Sequence, residues 1–236
     1  VILATSFSEI LAAKNATKTI PIVFMTSGDP VAAGVIDSLA HPGGNLTGFT
    51  EIAAVLAGKR LELLKETIPK LSRVALLWNP AGEPGSLQQW KESQLAAREL
   101  GLHLHSMEVS SADKYEIAFK EATKARSAAL AVTQTALASA TRTQIVDLAG
   151  KYRLPAIYTR RDFVESGGLM SYGPDRVEPY RRAAVMIDKI LKGAKPADLP
   201  VEQPTQFELV INLKTAKALE LTIPPVVMMR AQKVIK

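Results

Sequence analysis

The 236-residue chain contains no cysteine, so disulfides, a thiol nucleophile and thiolate metal ligation are excluded, while the compartment stays open. Long apolar runs are missing too. The greasiest stretches, such as Val74 to Trp78, end within a few positions, far short of the roughly 20 residues that span a bilayer. No positively charged start leads into an apolar segment and a small-residue cleavage site. The chain opens instead on Val1-Ile2-Leu3-Ala4-Thr5, which reads as a buried strand; such a strand normally has earlier elements flanking it, so further chain is expected upstream. Charge is not gathered into blocks: 29 Lys and Arg against 23 Asp and Glu leave a formal +6, spread along helices as in Lys59-Arg60 and Lys65. Without interleaved aromatics this is a solvated basic surface, and no nucleic-acid partner is expected. What is present is 47% hydrophobic and 22% charged, a composition that folds, at a length that suits one large or two modest domains.

Short apolar runs alternate with stretches of helical period, the signature of repeated βα units and a largely parallel sheet. Strands are predicted at Val1 to Thr5, Pro21 to Thr26, Leu46 to Phe49, Arg73 to Trp78, Leu102 to Val109, Ala128 to Thr133, Pro155 to Thr159 and Glu208 to Ile211. Between them fall helices at Ser8 to Lys14, Ala32 to Leu39, Ala53 to Ile68, Leu87 to Leu100, Lys114 to Ala125 and Ala138 to Tyr152. Leu56, Leu61, Leu64 and Ile68 lie on one stripe of the Ala53 helix, which Pro69 closes. Gly167 to Gly173 reads as a turn and a short strand, followed by a helix at Val177 to Leu191 ended by Gly193. Pro196, Pro200 and Pro204 mark an extended connector. A helix at Leu213 to Leu219 and a helical tail over Val226 to Ile235 complete the pattern.

In parallel α/β sheets ligands sit at the carboxyl ends of strands, where loops and helix N-termini are presented. Those ends are polar here: Thr5-Ser6-Phe7-Ser8, Thr26-Ser27-Gly28-Asp29, Asn79, Thr133-Gln134-Thr135 and Tyr158-Thr159-Arg160-Arg161. Such groups suit hydrogen bonding to a small polar ligand, although strand ends are also polar because they meet water and cap helices. Catalytic sets are poor by comparison. His41 lies in a Pro-Gly turn, and His103 and His105 alternate on what reads as an edge strand, with no metal-ligand spacing. Neither G-x-G-x-x-G nor G-x-x-x-x-G-K-[ST] occurs, there is no G-x-S-x-G elbow, and no cofactor is expected.

A set of ordered segments carries a family resemblance. These are Pro21-Ile22-Val23-Phe24-Met25-Thr26-Ser27-Gly28-Asp29-Pro30-Val31, Pro42-Gly43-Gly44-Asn45-Leu46-Thr47-Gly48, Lys59-Arg60-Leu61-Glu62-Leu63-Leu64-Lys65 and Val74-Ala75-Leu76-Leu77-Trp78-Asn79-Pro80. Gly167 to Gly173, Ile190 to Pro196 and Leu209 to Lys217 continue the series. Together they resemble the ABC transporter substrate-binding proteins related to tryptophan/tyrosine importers. The resemblance implies a type I periplasmic-binding-protein fold: two Rossmann-like lobes with parallel sheets, joined by crossover strands and closing by hinge motion on a ligand held between them. The first lobe, incomplete, would comprise residues 1–72 and about 168–205; the second, 73–167 and about 206–236. The implied setting is periplasmic, with a membrane permease as partner and association of copies through the incomplete lobe.

Carried onto this sequence, the implied ligand-binding residues are Thr5, Ser6, Asp29 and Asn79, joined by the strand-end residues Thr133, Gln134, Tyr158 and Arg160. Where aromatic amino-acid binders of the family have Thr-Asp-Asn, this chain has Thr133-Gln134-Thr135, which removes a carboxylate suited to an ammonium group. Charge-assisted hydrogen bonds are roughly twice as strong as neutral ones, and Arg160 and Arg161, following the strand at Tyr158, offer partners for a carboxylate instead. The expected function is therefore capture of a small polar or aromatic metabolite, an amino acid or a carboxylate, without catalysis. Two other readings share these residues: a small α/β enzyme using Asp29 and Arg160, and an effector-binding domain of a transcription regulator.

Overall fold

The computed structural model describes residues 1–26, 28–51, 53–81, 84–175 and 177–236. Along the chain come β1 (Ile2–Ala4), α1 (Phe7–Ala16), β2 (Ile22–Thr26), β3 (Leu46–Thr50), α2 (Val55–Thr67), β4 (Arg73–Trp78), α3 (Pro84–Glu99), β5 (His103–Glu108), α4 (Tyr115–Lys124) and β6 (Ala129–Val132). They are followed by α5 (Ala136–Ala140), α6 (Arg142–Lys151), β7 (Ala156–Tyr158), α7 (Arg161–Glu165), β8 (Met170–Pro174) and α8 (Val177–Leu191). The last elements are β9 (Phe207–Asn212), α9 (Leu213–Ala218), α10 (Pro225–Met228) and β10 (Lys233–Ile235).

Packing divides the chain into two units, residues 1–52 with 174–206 and residues 53–173 with 207–236. In the first unit β1, β2 and β3 form a parallel sheet in that order, with Ile2 opposite Ile22 and Ile22 opposite Leu46. Period-two alternation sorts its side chains onto two faces. Ile22 and Phe24 pack with Ala4, Ile10, Val35 and Leu46 on one face. On the other, Val23, Met25 and Phe49 meet Ala183, Met186 and Ile190, whose i, i+3, i+7 spacing makes one stripe of α8. Gly48 lets β3 approach β2, since a Cβ there would lie 2.0 Å from the carbonyl oxygen of Phe24.

The second unit carries a seven-stranded sheet in the order β10-β9-β8-β7-β6-β4-β5. Its central strands β4, β6 and β7 are apolar on both faces, as a doubly covered parallel sheet requires. Val74, Leu76, Ala129 and Ala131 pack against Leu61 and Leu64 of α2 and Val227 of α10. Ala75, Leu77, Leu130 and Val132 pack against Phe119 of α4 and Ile145 of α6. The packing division places α2 in this second unit, where Leu61, Leu63 and Leu64 join its core, while the expected boundary stood at residue 72. β5 is one of the two edge strands, so His103 and His105 sit on a sheet edge as expected.

Three expectations are corrected. The segment 32–39 is a series of turns: Gly34 adopts φ +66, and the N–H groups of Val35 and Ile36 turn back to the carbonyl of Pro30. The Ala138 to Tyr152 helix is broken at Thr141, whose hydroxyl donates to the Leu137 carbonyl at 2.8 Å and separates α5 from α6. The expected helical tail over Val226 to Ile235 stops after the single turn of α10. Its end becomes β10, drawn onto the open edge of β9 with Lys233 opposite Val210 and Ile235 opposite Asn212.

Candidate functional site

Because each sheet is parallel, the loops that follow its strands gather on one edge. In the first unit β1 leads directly into α1 through Thr5 and Ser6. Ser6 is the N-cap: its hydroxyl accepts from Glu9 N at 3.3 Å, and Glu9 Oε2 accepts from Thr5 N at 2.7 Å, Ser6 N at 3.0 Å and Thr5 Oγ1 at 3.2 Å. These backbone N–H bonds, that of Thr5 foremost, hold the Glu9 carboxyl below its ordinary range. After β2, Ser27 lies outside the described residues, and Asp29 is exposed. Asp29 Oδ1 accepts from Val31 N at 2.9 Å and Ala32 N at 3.0 Å, an Asx turn that redirects the chain.

In the second unit the neighbouring strands β4, β6 and β7 bring Asn79, Gln134 and Arg160 to one edge of the sheet. Asn79 is half-buried; its Oδ1 accepts from Ala81 N at 2.9 Å and its own N–H donates to Ser86 Oγ at 3.1 Å. Gln134 is gripped through its backbone: its N–H donates to Gln89 Oε1 at 2.8 Å, and its carbonyl accepts from Gln89 Nε2 at 3.1 Å. The guanidinium of Arg160 is braced by Asp162 Oδ2 at 2.8 Å and Ser139 Oγ at 3.5 Å. Its Nε is buried without a hydrogen-bond partner among the described residues. The arrangement offers one fixed cation beside neutral amides.

Two nominated residues turn inward. Thr133 is buried, and its hydroxyl donates to the carbonyl of Leu77 at 3.0 Å, tying β6 to β4. Tyr158 is fully buried and stacks on Phe163 at 4.8 Å, with burial pushing its phenol far above the ordinary value of 10.0. Conversely, Ser86, Gln89, Ser139 and Asp162 shape this edge and carried no motif. A signal for two of them existed: Ser86, Gln89, Ser93 and Ala97 recur at helical spacing on one face of α3, and all are buried. A polar stripe on a buried helix face implies backbone partners in need of satisfaction.

The described cavities lie apart from the nominated residues. One of about 290 Å³ in the first unit is lined by Thr50, Glu51, Asp175, Glu178 and Arg182, among others, and one of about 320 Å³ in the second unit runs beside Trp90 and His103. Among the described residues no group of three or more His, Asp or Glu side chains could hold a metal ion, and no helix is long and apolar enough to cross a membrane.

This architecture, parallel α/β units with polar strand ends, is that of type I periplasmic-binding proteins, and solved structures of that class superpose on it. A family model described as ABC transporter substrate binding protein matches residues 1–235, and the chain belongs to that family. It is 29% identical over 226 residues to a tyrosine-binding protein of Clostridioides difficile (strain R20291), covering 93% of this chain and 63% of the length of that relative. Among solved structures, an ABC domain from Streptococcus pneumonia in complex with L-Trp matches with a TM-score of 0.90 and 28% identity, over 100% of this chain and 80% of that one. The ligand-free, open structure of a substrate binding protein with adhesive properties from Clostridium difficile matches with a TM-score of 0.72 and 27% identity, over 100% and 78%.

Proposed function

We propose that the chain captures a small polar or aromatic metabolite, an amino acid or a carboxylate, through the loops at the carboxyl ends of its parallel strands, and delivers it to a membrane permease from outside the cytoplasm. The two packing units act as the two lobes. Thr5, Ser6 and Asp29 contribute from the first, and Asn79, Gln134 and Arg160 from the second. Family membership and the aromatic amino acids bound by similar proteins support capture.

The observation that carries the ligand class is Arg160. Its guanidinium is fixed at a strand end by Asp162 and Ser139, so it meets a carboxylate without first losing side-chain freedom. Asp29 in this reading is a turn former whose carboxylate caps two backbone N–H groups, and no proton transfer is asked of it. Titration calorimetry with L-tyrosine, L-tryptophan, 4-hydroxyphenylacetate and indole-3-acetate tests the proposal. At least one probe should bind, and Arg160→Gln should weaken its binding about tenfold or more, as expected for loss of a charge-assisted hydrogen bond. Binding of none of the four, or equal binding by Arg160→Gln, refutes it.

A further inference from the structure

The helix behind the second unit's edge does something its surface does not show. α3 turns three polar side chains inward, Ser86, Gln89 and Ser93, which are 0%, 1% and 1% exposed. Ser93 Oγ donates to the Gln89 carbonyl at 2.7 Å, within its own helix. The other two reach out to strand ends. Ser86 Oγ accepts from Asn79 N, at the end of β4, and Gln89 pairs with Gln134, at the end of β6, as a backbone peptide would: its Oε1 accepts the N–H and its Nε2 donates to the carbonyl. Nε2 also donates to Gly85 O at 3.1 Å, so both amide hydrogens and the amide oxygen are committed and the side chain has one orientation.

We infer that Gln89 is a positioning residue for ligand recognition: its side-chain amide pairs with the Gln134 backbone as a strand neighbour would and fixes the Gln134 loop. The inference rests on the proposed capture role and adds what holds that loop in shape. The β6–β4 ladder ends as Thr133 N–H donates to Leu77 O at 2.9 Å, and β4 then gives way to the Asn79 turn, so the next residue, Gln134, takes up the side chain of Gln89. Without Gln89 this half-buried N–H and carbonyl would turn to other partners, shifting the Gln134 loop at the sheet edge it shares with Asn79 and Arg160. Packing alone does not require glutamine. An apolar residue would fill the same volume on α3, so the polar choice is explained by the loop.

The amide geometry supplies a test that loss of packing would not imitate. Gln89→Glu keeps an acceptor for Gln134 N–H, but when ionised it lacks the donor for Gln134 and Gly85 carbonyls; when protonated it regains one. Burial raises the pKa of such a carboxyl, so the exchange falls in an accessible pH range. With L-tyrosine, L-tryptophan, 4-hydroxyphenylacetate and indole-3-acetate as probes, Gln89→Ala should weaken binding at least tenfold at pH 7.5. It should also speed amide hydrogen exchange at Gln134 while leaving Leu130 and Ala131 in β6 protected. Gln89→Glu should approach the parent's affinity at pH 5.5 and fall away at pH 8.5, while the parent changes little over that range. Parent-like binding by Gln89→Ala, or a Gln89→Glu affinity that tracks the parent at every pH, overturns the inference. So does exchange that rises throughout β6, which marks general destabilisation. A parent that binds none of the probes refutes the capture role itself, a result distinct from each of these.

Discussion

Replacing Tyr158 by phenylalanine should stabilise the protein, against the usual direction of core substitutions. Tyr158 ends β7 with 0% exposure, its ring 4.8 Å from that of Phe163 at an interplanar angle of 16°. Its hydroxyl is buried with no hydrogen-bond partner among the described residues. Burying a hydroxyl in that condition costs about 1–3 kcal/mol, while phenylalanine keeps the ring and its stacking. Deleting one oxygen leaves a gap smaller than a methyl group, worth less than about 1 kcal/mol. The balance is a gain of about 1 kcal/mol, or roughly 2–4 °C in Tm for a chain of this size. pH supplies a second signature. Burial raises the folded-state pKa far above 10.0, so above pH 10 the unfolded chain has released a proton that the folded chain still holds. This contribution is intact below pH 10 and is lost as pH rises further, by at most about 1.4 kcal/mol per pH unit. Phenylalanine has no such loss, so its advantage should widen between pH 7 and pH 10.5 in paired urea melts followed by circular dichroism. A loss of more than about 0.5 kcal/mol at pH 7, or an advantage that does not change with pH, would refute the reasoning.

Gly48→Ala should unfold the first unit's sheet, because the new Cβ would lie 2.0 Å from Phe24 O and 2.6 Å from Phe24 N, backbone atoms that cannot yield without parting β2 from β3. A cost on the order of 3 kcal/mol or more is expected, read as lost exchange protection over Ile22 to Thr26. Arg60 is 4% exposed, and its Nε donates to Tyr172 O at 2.8 Å and its Nη1 to Ala53 O at 3.2 Å. Arg60→Met should cost about 2–5 kcal/mol in thermal melts by stripping the buried Ala53 carbonyl and the half-buried Tyr172 carbonyl of charged donors, with Arg60→Lys recovering only part. Glu9 contributes through a depressed pKa, so its stabilisation holds above 4.5 and is lost as pH falls through the folded-state value. The stability difference between the parent and Glu9→Gln should therefore shrink from pH 7 to pH 3, and a constant difference would count against the capping box.

How far the fold is legible in the sequence depends on what competes locally. β4 and α8 fall where the sequence places them, at Arg73–Trp78 and Val177–Leu191, because an apolar run bounded by turn residues and a long amphipathic period leave little choice. The errors fall where a short segment has two uses. Residues 32–39 have helical composition, yet the Pro30 carbonyl draws Val35 and Ile36 back into a turn. Residues 233–235 pair as β10 because β9 presents an open edge, which no local preference reports. Packing groups α2 with the second unit for a reason no local pattern carries: its apolar stripe is visible, but which sheet it covers is decided by residues far along the chain.

The candidate site poses a different problem, since polarity at a strand end has two consumers, the ligand and the chain itself. Thr133, Ser6 and Asp29 all direct oxygen atoms to backbone groups, and sequence reasoning scores them equally with Asn79 and Arg160. What separates them is hydrogen-bonding capacity left after the local turn is satisfied, and that is a property of geometry. The N-cap hydroxyl of Ser6 already accepts from Glu9 N and shares a hydrogen bond with Ser8 Oγ, leaving little capacity over, whereas a guanidinium with five donors can brace itself on Asp162 and Ser139 and still present N–H groups. Gln89 is the converse case, invisible because a glutamine in a helix reads as solvent-facing until its neighbours Ser86 and Ser93 show that the face is buried. Recognition loops at the ends of parallel strands thus need partners behind them as much as ligands in front, and mutations of the hidden set should alter affinity as strongly as mutations of the residues that touch the ligand.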